Sequence, residues 1–378
     1  MKHFNIETSI YFGEGSLEKL KELDNKKILI ICDKFIGTSE ILKKVQSNLE
    51  KCDVAVFDDI IPDPTIKVVA KGVQVLKSEK VDLIIALGGG SSIDGAKAIR
   101  EYYTKIEKNA KIDFYAIPTT SGTGSEVTEY SVITNEQENI KYALADKKLL
   151  PSVAILDPEL VKSVPKSITA DTGMDVLTHA IEAYISKEAS DFTDALAEKA
   201  FELTVKNLEK AYLNGGDLQA REKMHNASCL AGLAFNSAGL GLTHSLAHVI
   251  GGRFHIPHGK INAIILPHVV RYNSNIERES YLDSKSEVLK KYQKLAKIAD
   301  LSAINPFMGT SNLINFIVKL QKSLLIPGTL KDLKIDGSSL LEDIDNVYEN
   351  VLKDICTKTN PREITKEDIK KLIKSIVG

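Results

Sequence analysis

Through the first 160 residues, short and nearly unbroken apolar runs alternate with amphipathic stretches. "KILIICD", "VAVFDDI", "VDLIIALGGG", "DFYAIPTT" and "SVAILDP" are β-branched and apolar almost throughout. Strands of this kind are buried on both faces, as in a parallel sheet covered by helices. Their alternation with helical segments predicts a doubly wound, Rossmann-like α/β domain. After about Pro165 the grammar changes. "AIEAYISKEASDFTDALAEKAFELTVKNLEKAYL" and "SEVLKKYQKLAKIADL" space their apolar residues for helices, and no comparable strand run follows. The expected division is an α/β domain over 1–165 and an all-α domain over 166–378. In the C-terminal "TKEDIKKLIKSIVG", Thr365 and Asp368 form a capping signal, and the interspersed lysines read as a solvated helix face.

A chain of 378 residues is long enough for two domains of ordinary size. With 43% hydrophobic and 26% charged residues it reads as a soluble globular protein. The 49 basic residues are balanced by 51 acidic ones, which removes any general attraction to nucleic acid or anionic membrane. Cys32, Cys52, Cys229 and Cys356 are far apart with no C-x-x-C pair, which argues against a disulfide framework or thiolate zinc site and for a reducing compartment. "MKHFNIETSIYFGEGS" has no apolar signal-peptide core, and no run of eighteen apolar residues occurs, so a cytoplasmic location is expected.

Two polar loops follow predicted strands. "LIIALGGGSSIDGAKAI" places Gly88, Gly89, Gly90 and Ser91 between a buried strand and a helix, where exposed N–H groups suit a phosphate; a tight turn is the plain alternative. It is not the G-x-G-x-x-G fingerprint. "AIPTTSGTGSEVT" repeats the arrangement with Thr119, Thr120, Ser121 and Thr123. Loops at neighbouring strand ends would meet in one crevice, which favours a dinucleotide. Asp33, at the end of "ILIICD", is placed either to accept ribose hydroxyls and repel a 2′-phosphate, favouring NAD over NADP, or to cap a helix.

"GLGLTHSLAHVIGGRFHIPHG" holds four of the eight histidines, at 244, 248, 255 and 258. His244 and His248 share a helix face at i, i+4, and His258 can return through the loop. Upstream, Asp175 and His179 in "ITADTGMDVLTHAIEAY" have the same spacing. Two such pairs and a third histidine point to a divalent first-row metal, for which iron, zinc, cobalt and manganese are all compatible. Five side chains then compete for four places. His248, one turn beyond His244, is the one that could instead carry a proton. His225, His255 and His268 read as structural or surface residues.

"GGGSSIDGAKAI", "IPTTSGTGSEVT", "GMDVLTHAIEAY", "GLGLTHSLAHVIGGRFHIPHG" and "CTKTNPREIT" make the chain resemble, over nearly its whole length, the iron-containing (group III) alcohol dehydrogenase family. The resemblance implies the dehydroquinate synthase-like fold, with an N-terminal dinucleotide-binding domain and a C-terminal metal-binding and substrate domain. It implies NAD as cofactor and iron(II), or zinc in its place, held by Asp175, His179, His244 and His258, with His248 as a non-ligand histidine near the nicotinamide. It places Asp33 at the adenosine ribose, Gly89, Gly90 and Ser91 at the pyrophosphate, and Thr119, Thr120 and Thr123 close by. Lys141 corresponds to a lysine near the nicotinamide ribose, Asp63 and Asp94 to motif positions facing the cofactor, and Phe235 to a border of the nicotinamide pocket. "LLPSVAILDPELVKSVP" and "REKMHNASCLAGLAF" resemble the subgroup acting on 1-propanol and similar short primary alcohols, often associated with bacterial microcompartments. The implied activity is hydride transfer between such an alcohol and its aldehyde by a homodimer. A glycerol or 1,3-propanediol dehydrogenase on the same scaffold, and a non-catalytic microcompartment homologue, are the alternatives.

Overall fold

In a computed structural model, residues 3–136, 140–276 and 286–378 are described. They form two compact units, residues 1–164 with 216–236, and residues 165–215 with 237–378.

The first unit is built on a six-stranded sheet of β1 (Ser9–Phe12), β2 (Lys27–Asp33), β3 (Asp53–Ile60), β4 (Leu83–Gly88), β5 (Asp113–Pro118) and β8 (Val153–Leu156). The spatial order is β1-β8-β5-β4-β2-β3, and every pair is parallel. The five apolar runs are thus β2, β3, β4, β5 and β8. Side chains alternate across a strand, so the runs of β2 to β5 feed two cores. Leu29, Ile31, Ile84 and Phe114 pack on one face with Leu76 of α3 (Ile66–Glu79) and Ile99 of α4 (Gly90–Ile106). Ile28, Ile30, Leu83 and Ile85 pack on the other with Val45 of α2 (Glu40–Gln46), which follows the one-turn α1 (Lys34–Gly37). Each such fully buried side chain contributes roughly 1.5–3 kcal/mol, which is why continuous apolar runs specify this sheet. An antiparallel hairpin, β6 (Tyr130–Asn135) and β7 (Ile140–Ala145), forms a second small sheet. The apolar runs do not announce either β1 or the hairpin.

The second unit is helical, with no strand among the described residues. It contains α5 (Lys166–Ile185), α6 (Asp191–Leu213), α8 (Leu242–Phe254), α9 (His258–Ser274), α10 (Glu287–Ile298), α11 (Pro306–Ser323), α12 (Ser338–Glu342), α13 (Ile344–Lys353) and α14 (Lys366–Val377). The long stretch "AIEAYISKEASDFTDALAEKAF" is broken after Ile185, and Ser190 restarts it as α6 with a capping box to Thr193. Thr365 and Asp368 cap α14 as their spacing predicts.

The division differs from contiguous 1–165 and 166–378 domains in one element. Residues 218–236 of α7 (Leu218–Ala238) belong with the sheet unit. There the Glu129 N–H donates to Asn236 at 2.8 Å, and Ser121 Oγ lies 2.9 Å from His225 Nδ1. Gly124 and Gly232 approach so closely that a Cβ on Gly124 would sit 2.7 Å from the Gly232 Cα. Helical periodicity identifies α7 as a helix but says nothing about which core it joins.

Candidate metal centre and nucleotide loops

In the sheet unit, β4 and β5 end side by side, and their loops touch. Gly88 has φ +149°, a conformation that disfavours a side chain, and a Cβ on Gly90 would lie 2.6 Å from Thr123. The Thr119 N–H donates to the Gly88 carbonyl at 3.0 Å, and Thr120 Oγ1 lies 3.4 Å from where a Gly89 Cβ would be. Gly89 caps α4 without a side-chain bond, so the helix opens on main-chain N–H groups beside Ser91 and the threonine hydroxyls. Such an end attracts an anion. Gly89, Gly90, Ser91, Thr119, Thr120 and Thr123 are therefore brought together as their spacing suggests.

The other expected cofactor residues fare differently. Asp33 uses Oδ1 to cap α1, accepting the Ile36 N–H at 2.9 Å; the carboxylate is half-buried, with Oδ2 3.8 Å from the position a Gly88 Cβ would take. Asp63 is exposed in the left-handed region at φ +53°. Asp94 is half-buried and is engaged within the sheet unit. Its oxygens accept Ser125 Oγ at 2.6 Å and the Val132 N–H at 3.0 Å, so it ties the threonine loop to β6. Lys141 lies on β7 opposite Thr134, and its side chain is outside the described residues. Phe235 is buried in α7. Lys97, which the motif reading passed over, is buried and donates to Ser125 Oγ, the Thr128 carbonyl and the Tyr130 carbonyl at 3.0, 2.8 and 2.7 Å. Burial pulls its amine down to about 8 against the pull of Asp94 and Glu126, while burial pushes the Glu126 carboxyl up to about 7.

In the helical unit, Asp175 and His179 project from α5, His244 from α8, and His258 is the first residue of α9. One donor atom from each lies within 4.8 Å of the others. The Asp175 Oδ1 is 3.9 Å from His244 Nε2 and 3.7 Å from His258 Nε2. The first three side chains are buried and His258 is exposed, so the cluster is reached from the His258 side. His258 returns through a short connection after α8 to open α9. His255 ends α8 in the left-handed region, and Pro257 caps α9, where a missing N–H costs nothing. Gly259 is required by packing, since a Cβ there would stand 2.2 Å from the Asp171 carbonyl. That close approach brings α9 against α5.

The electrostatics suit a cation. Burial, then the neighbouring histidines, hold His244 well below its ordinary pKa, leaving a neutral imidazole with a lone pair. Burial would raise the Asp175 carboxyl, but His179, His258, His244 and Asn262 outweigh it and hold it below the usual range. Neutral imidazoles with an ionised carboxylate form a metal donor set. Asn262 supplies a test of fit. Its Nδ2 lies 2.7 Å from Asp175 Oδ1, 3.0 Å from His258 Nε2 and 3.2 Å from His244 Nε2. One amide has two hydrogens for these three acceptors. The acceptors converge on a point that calls for more positive charge than the protein provides, so the residues fit a divalent ion. Glu182 orients His244 from behind, its Oε2 lying 2.7 Å from Nδ1 and turning Nε2 towards the cluster.

His248 stands beside this group. Its ring stacks on His258 with centroids 5.4 Å apart and planes 16° apart, and it meets His244 edge-on at 6.2 Å. It is exposed, as a residue exchanging protons with water needs to be. His225 is buried against Ser121, and burial lowers the His268 pKa. Asn262 and Glu182 were missed by the sequence reading, although Asn262 follows His258 by four residues and Glu182 follows His179 by three.

Comparison with known proteins identifies the family. Residues 7–158 match the model for iron-containing alcohol dehydrogenases, and residues 169–377 the C-terminal model of the Fe-containing alcohol dehydrogenase family. The chain is 43% identical to a 1-propanol dehydrogenase of Citrobacter freundii over the full length of both. It is 40% identical to an NADPH-dependent butanol dehydrogenase of Clostridium saccharobutylicum, covering 100% of this chain and 98% of that one. A solved 1,3-propanediol oxidoreductase superposes with a TM-score of 0.89 at 33% identity, covering all of both chains. With motifs, fold and full-length similarity in agreement, the chain belongs to the iron-containing alcohol dehydrogenase family, oxidoreductases that interconvert alcohols and aldehydes.

Proposed function

We propose that this enzyme interconverts a short-chain primary alcohol of about the size of 1-propanol with its aldehyde, using NAD(H) and iron(II), for which zinc can substitute. The observation that carries the reading is the convergence of Asp175, His179, His244 and His258 on one point beside His248. When bound there, a divalent cation supplies Lewis acidity and the nicotinamide supplies a two-electron acceptor. The protein's share is placement and proton handling. Asp175, His179, His244 and His258 fix the cation, and Glu182 fixes His244. Gly89, Gly90 and Ser91 receive the pyrophosphate, with Thr119, Thr120 and Thr123 alongside. Asp33 accepts from the adenosine ribose with the oxygen not used in capping and repels a 2′-phosphate. Asp63 and Lys141 belong to the same cofactor-binding set. His248 accepts the alcohol proton and passes it to solvent, a role suited to an imidazole.

Similarity to the 1-propanol enzyme supports the substrate size, and the Asp33 carboxylate supports NAD despite the NADPH-dependent butanol relative. A polyol dehydrogenase is the second reading, favoured by the 1,3-propanediol oxidoreductase superposition. The complete donor set speaks against a non-catalytic homologue. No helix among the described residues is long and apolar enough to cross a membrane, and a cytoplasmic homodimer, free or within a microcompartment, is the setting we infer.

The test is metal analysis of anaerobically purified protein, with NADH formation followed over 1-propanol, ethanol, 1-butanol, glycerol and 1,3-propanediol. About one equivalent of iron or zinc and a preference for 1-propanol are expected. Asp175→Ala and His258→Ala should lose the metal and most activity while still binding NADH. Full activity in either metal-free variant would overturn the reading, and a preference for a diol would move it to the polyol branch.

A further inference from the structure

We propose that Asp354 is a positioning residue for this reaction, holding His248 as the tautomer that carries its own proton on Nδ1 and offers Nε2 as the base. The inference rests on the reading of His248 as proton carrier. Asp354 lies between α13 and the 3-10 turn Ile355–Thr359, 106 residues from His248 in sequence, and its Oδ2 is 2.7 Å from His248 Nδ1. Its Oδ1 accepts the Cys356 N–H at 2.9 Å and lies 3.3 Å from Ser245 Oγ. Burial would raise this carboxyl, but the bonds from His248 and Cys356 hold it at about 2, so it is ionised throughout the working range. An ionised carboxylate can only accept. Nδ1 must therefore donate, and the ring's one lone pair is on Nε2. Stacking on His258 and the edge contact with His244 brace the ring against rotation. The arrangement is the carboxylate–imidazole pairing that orients metal-ligand histidines, applied here to a histidine outside the donor set.

Asp354 is also the N-cap of the turn after it, and a purely structural role would end there. Its two oxygens divide the work, which makes the roles separable. In Asp354→Asn the Cys356 N–H, a fixed main-chain donor, claims the amide oxygen. The amide NH2 then faces His248 Nδ1, which must accept, and the ring proton moves to Nε2. The cap survives while the tautomer reverses.

The experiment uses the full-length zinc-loaded protein with 15N-labelled histidine, assigning the His248 ring nitrogens from the signals missing in His248→Ala. The wild type should show a protonated Nδ1 and a bare Nε2, and Asp354→Asn the reverse. Asp354→Asn should also lower kcat about 10–100-fold with the zinc content and the KM for 1-propanol unchanged. His248→Ala should fall by a similar factor, and the double variant no further, as for residues acting as one unit. A wild-type tautomer or a wild-type kcat in Asp354→Asn would overturn the proposal. A fully active His248→Ala would instead defeat the proton-carrier reading, and the nitrogen spectra would still decide whether Asp354 sets the tautomer.

Discussion

His244 Nδ1 lies 2.7 Å from Glu182 Oε2, and both side chains are only 2% exposed. The same carboxylate accepts the Gly241 N–H at 2.9 Å and the Thr243 N–H at 2.6 Å, so one buried charge caps α8 and fixes the tautomer of a candidate metal ligand. Burial raises the Glu182 carboxyl and these bonds oppose it, which makes each of them matter. Glu182→Gln keeps the volume but presents an amide with its own hydrogens to three donors. Metal affinity should fall about 10–100-fold, as expected when an outer partner of a ligand is lost. Competition with a graded series of chelator concentrations measures it, and unchanged retention would detach Glu182 from the centre.

Asn262 stands where positive charge is wanted, so its contribution should depend on whether the cation is bound. Without metal, its amide is the donor that holds Asp175, His244 and His258 together. Asn262→Ala should destabilise metal-free protein by about 1–3 kcal/mol, the cost of leaving buried acceptors unpaired. Saturating zinc stabilises the folded form by mass action and supplies the missing charge, so the loss should shrink. Thermal unfolding of wild type and variant, each with and without zinc, gives the four values. An equal loss in both states would contradict the stand-in role.

At Asp33, capping and cofactor discrimination use the same side chain, and removing it altogether would confuse the two. Asp33→Ser retains a hydroxyl to cap α1 and removes the charge. The ratio of kcat/KM for NAD over NADP should fall, chiefly through improved use of NADP once the repulsion of its 2′-phosphate is gone. Steady-state kinetics with both cofactors decides the point. A ratio that stays in place would leave Asp33 as a cap alone.

The parts of this protein that read directly from the sequence are those in which one local period settles the outcome. β2, β4 and β8 are apolar on both faces, so their runs mark strands without reference to partners. Asp175 with His179 places two donors on one helical face by spacing alone. β1, only "SIYF", is too short for a period, and β6 and β7 are separated by the polar stretch "EQEN". Glu182 and Asn262 do have helical spacing from ligands, but an isolated Glu or Asn on a helix looks the same as a solvated one until burial is known. The bonds of Asp94 to Ser125 and Val132 are tertiary, and no local period announces them. Asp354 and His248 are joined by tertiary packing, and nothing local connects them.

The buried group at Glu126 makes the sheet unit sensitive to pH in a direction opposite to ordinary acid denaturation. Its carboxyl, raised by burial to about 7, titrates from an ordinary value of 4.5 in the unfolded chain. Between those values the folded protein keeps a proton that the unfolded chain has released. The folded state then binds more protons, and stability falls as pH rises through the window. At about 1.4 kcal/mol per unit the full cost above pH 7 is about 3 kcal/mol. Lys97, titrating at about 8 when folded, remains largely charged below that and does not mask the effect. Glu126→Gln has no such proton to lose. Its stability relative to wild type should therefore increase between pH 5 and pH 7.5, seen as a widening gap of several degrees between their thermal midpoints. A gap independent of pH would show that Glu126 does not titrate in this range.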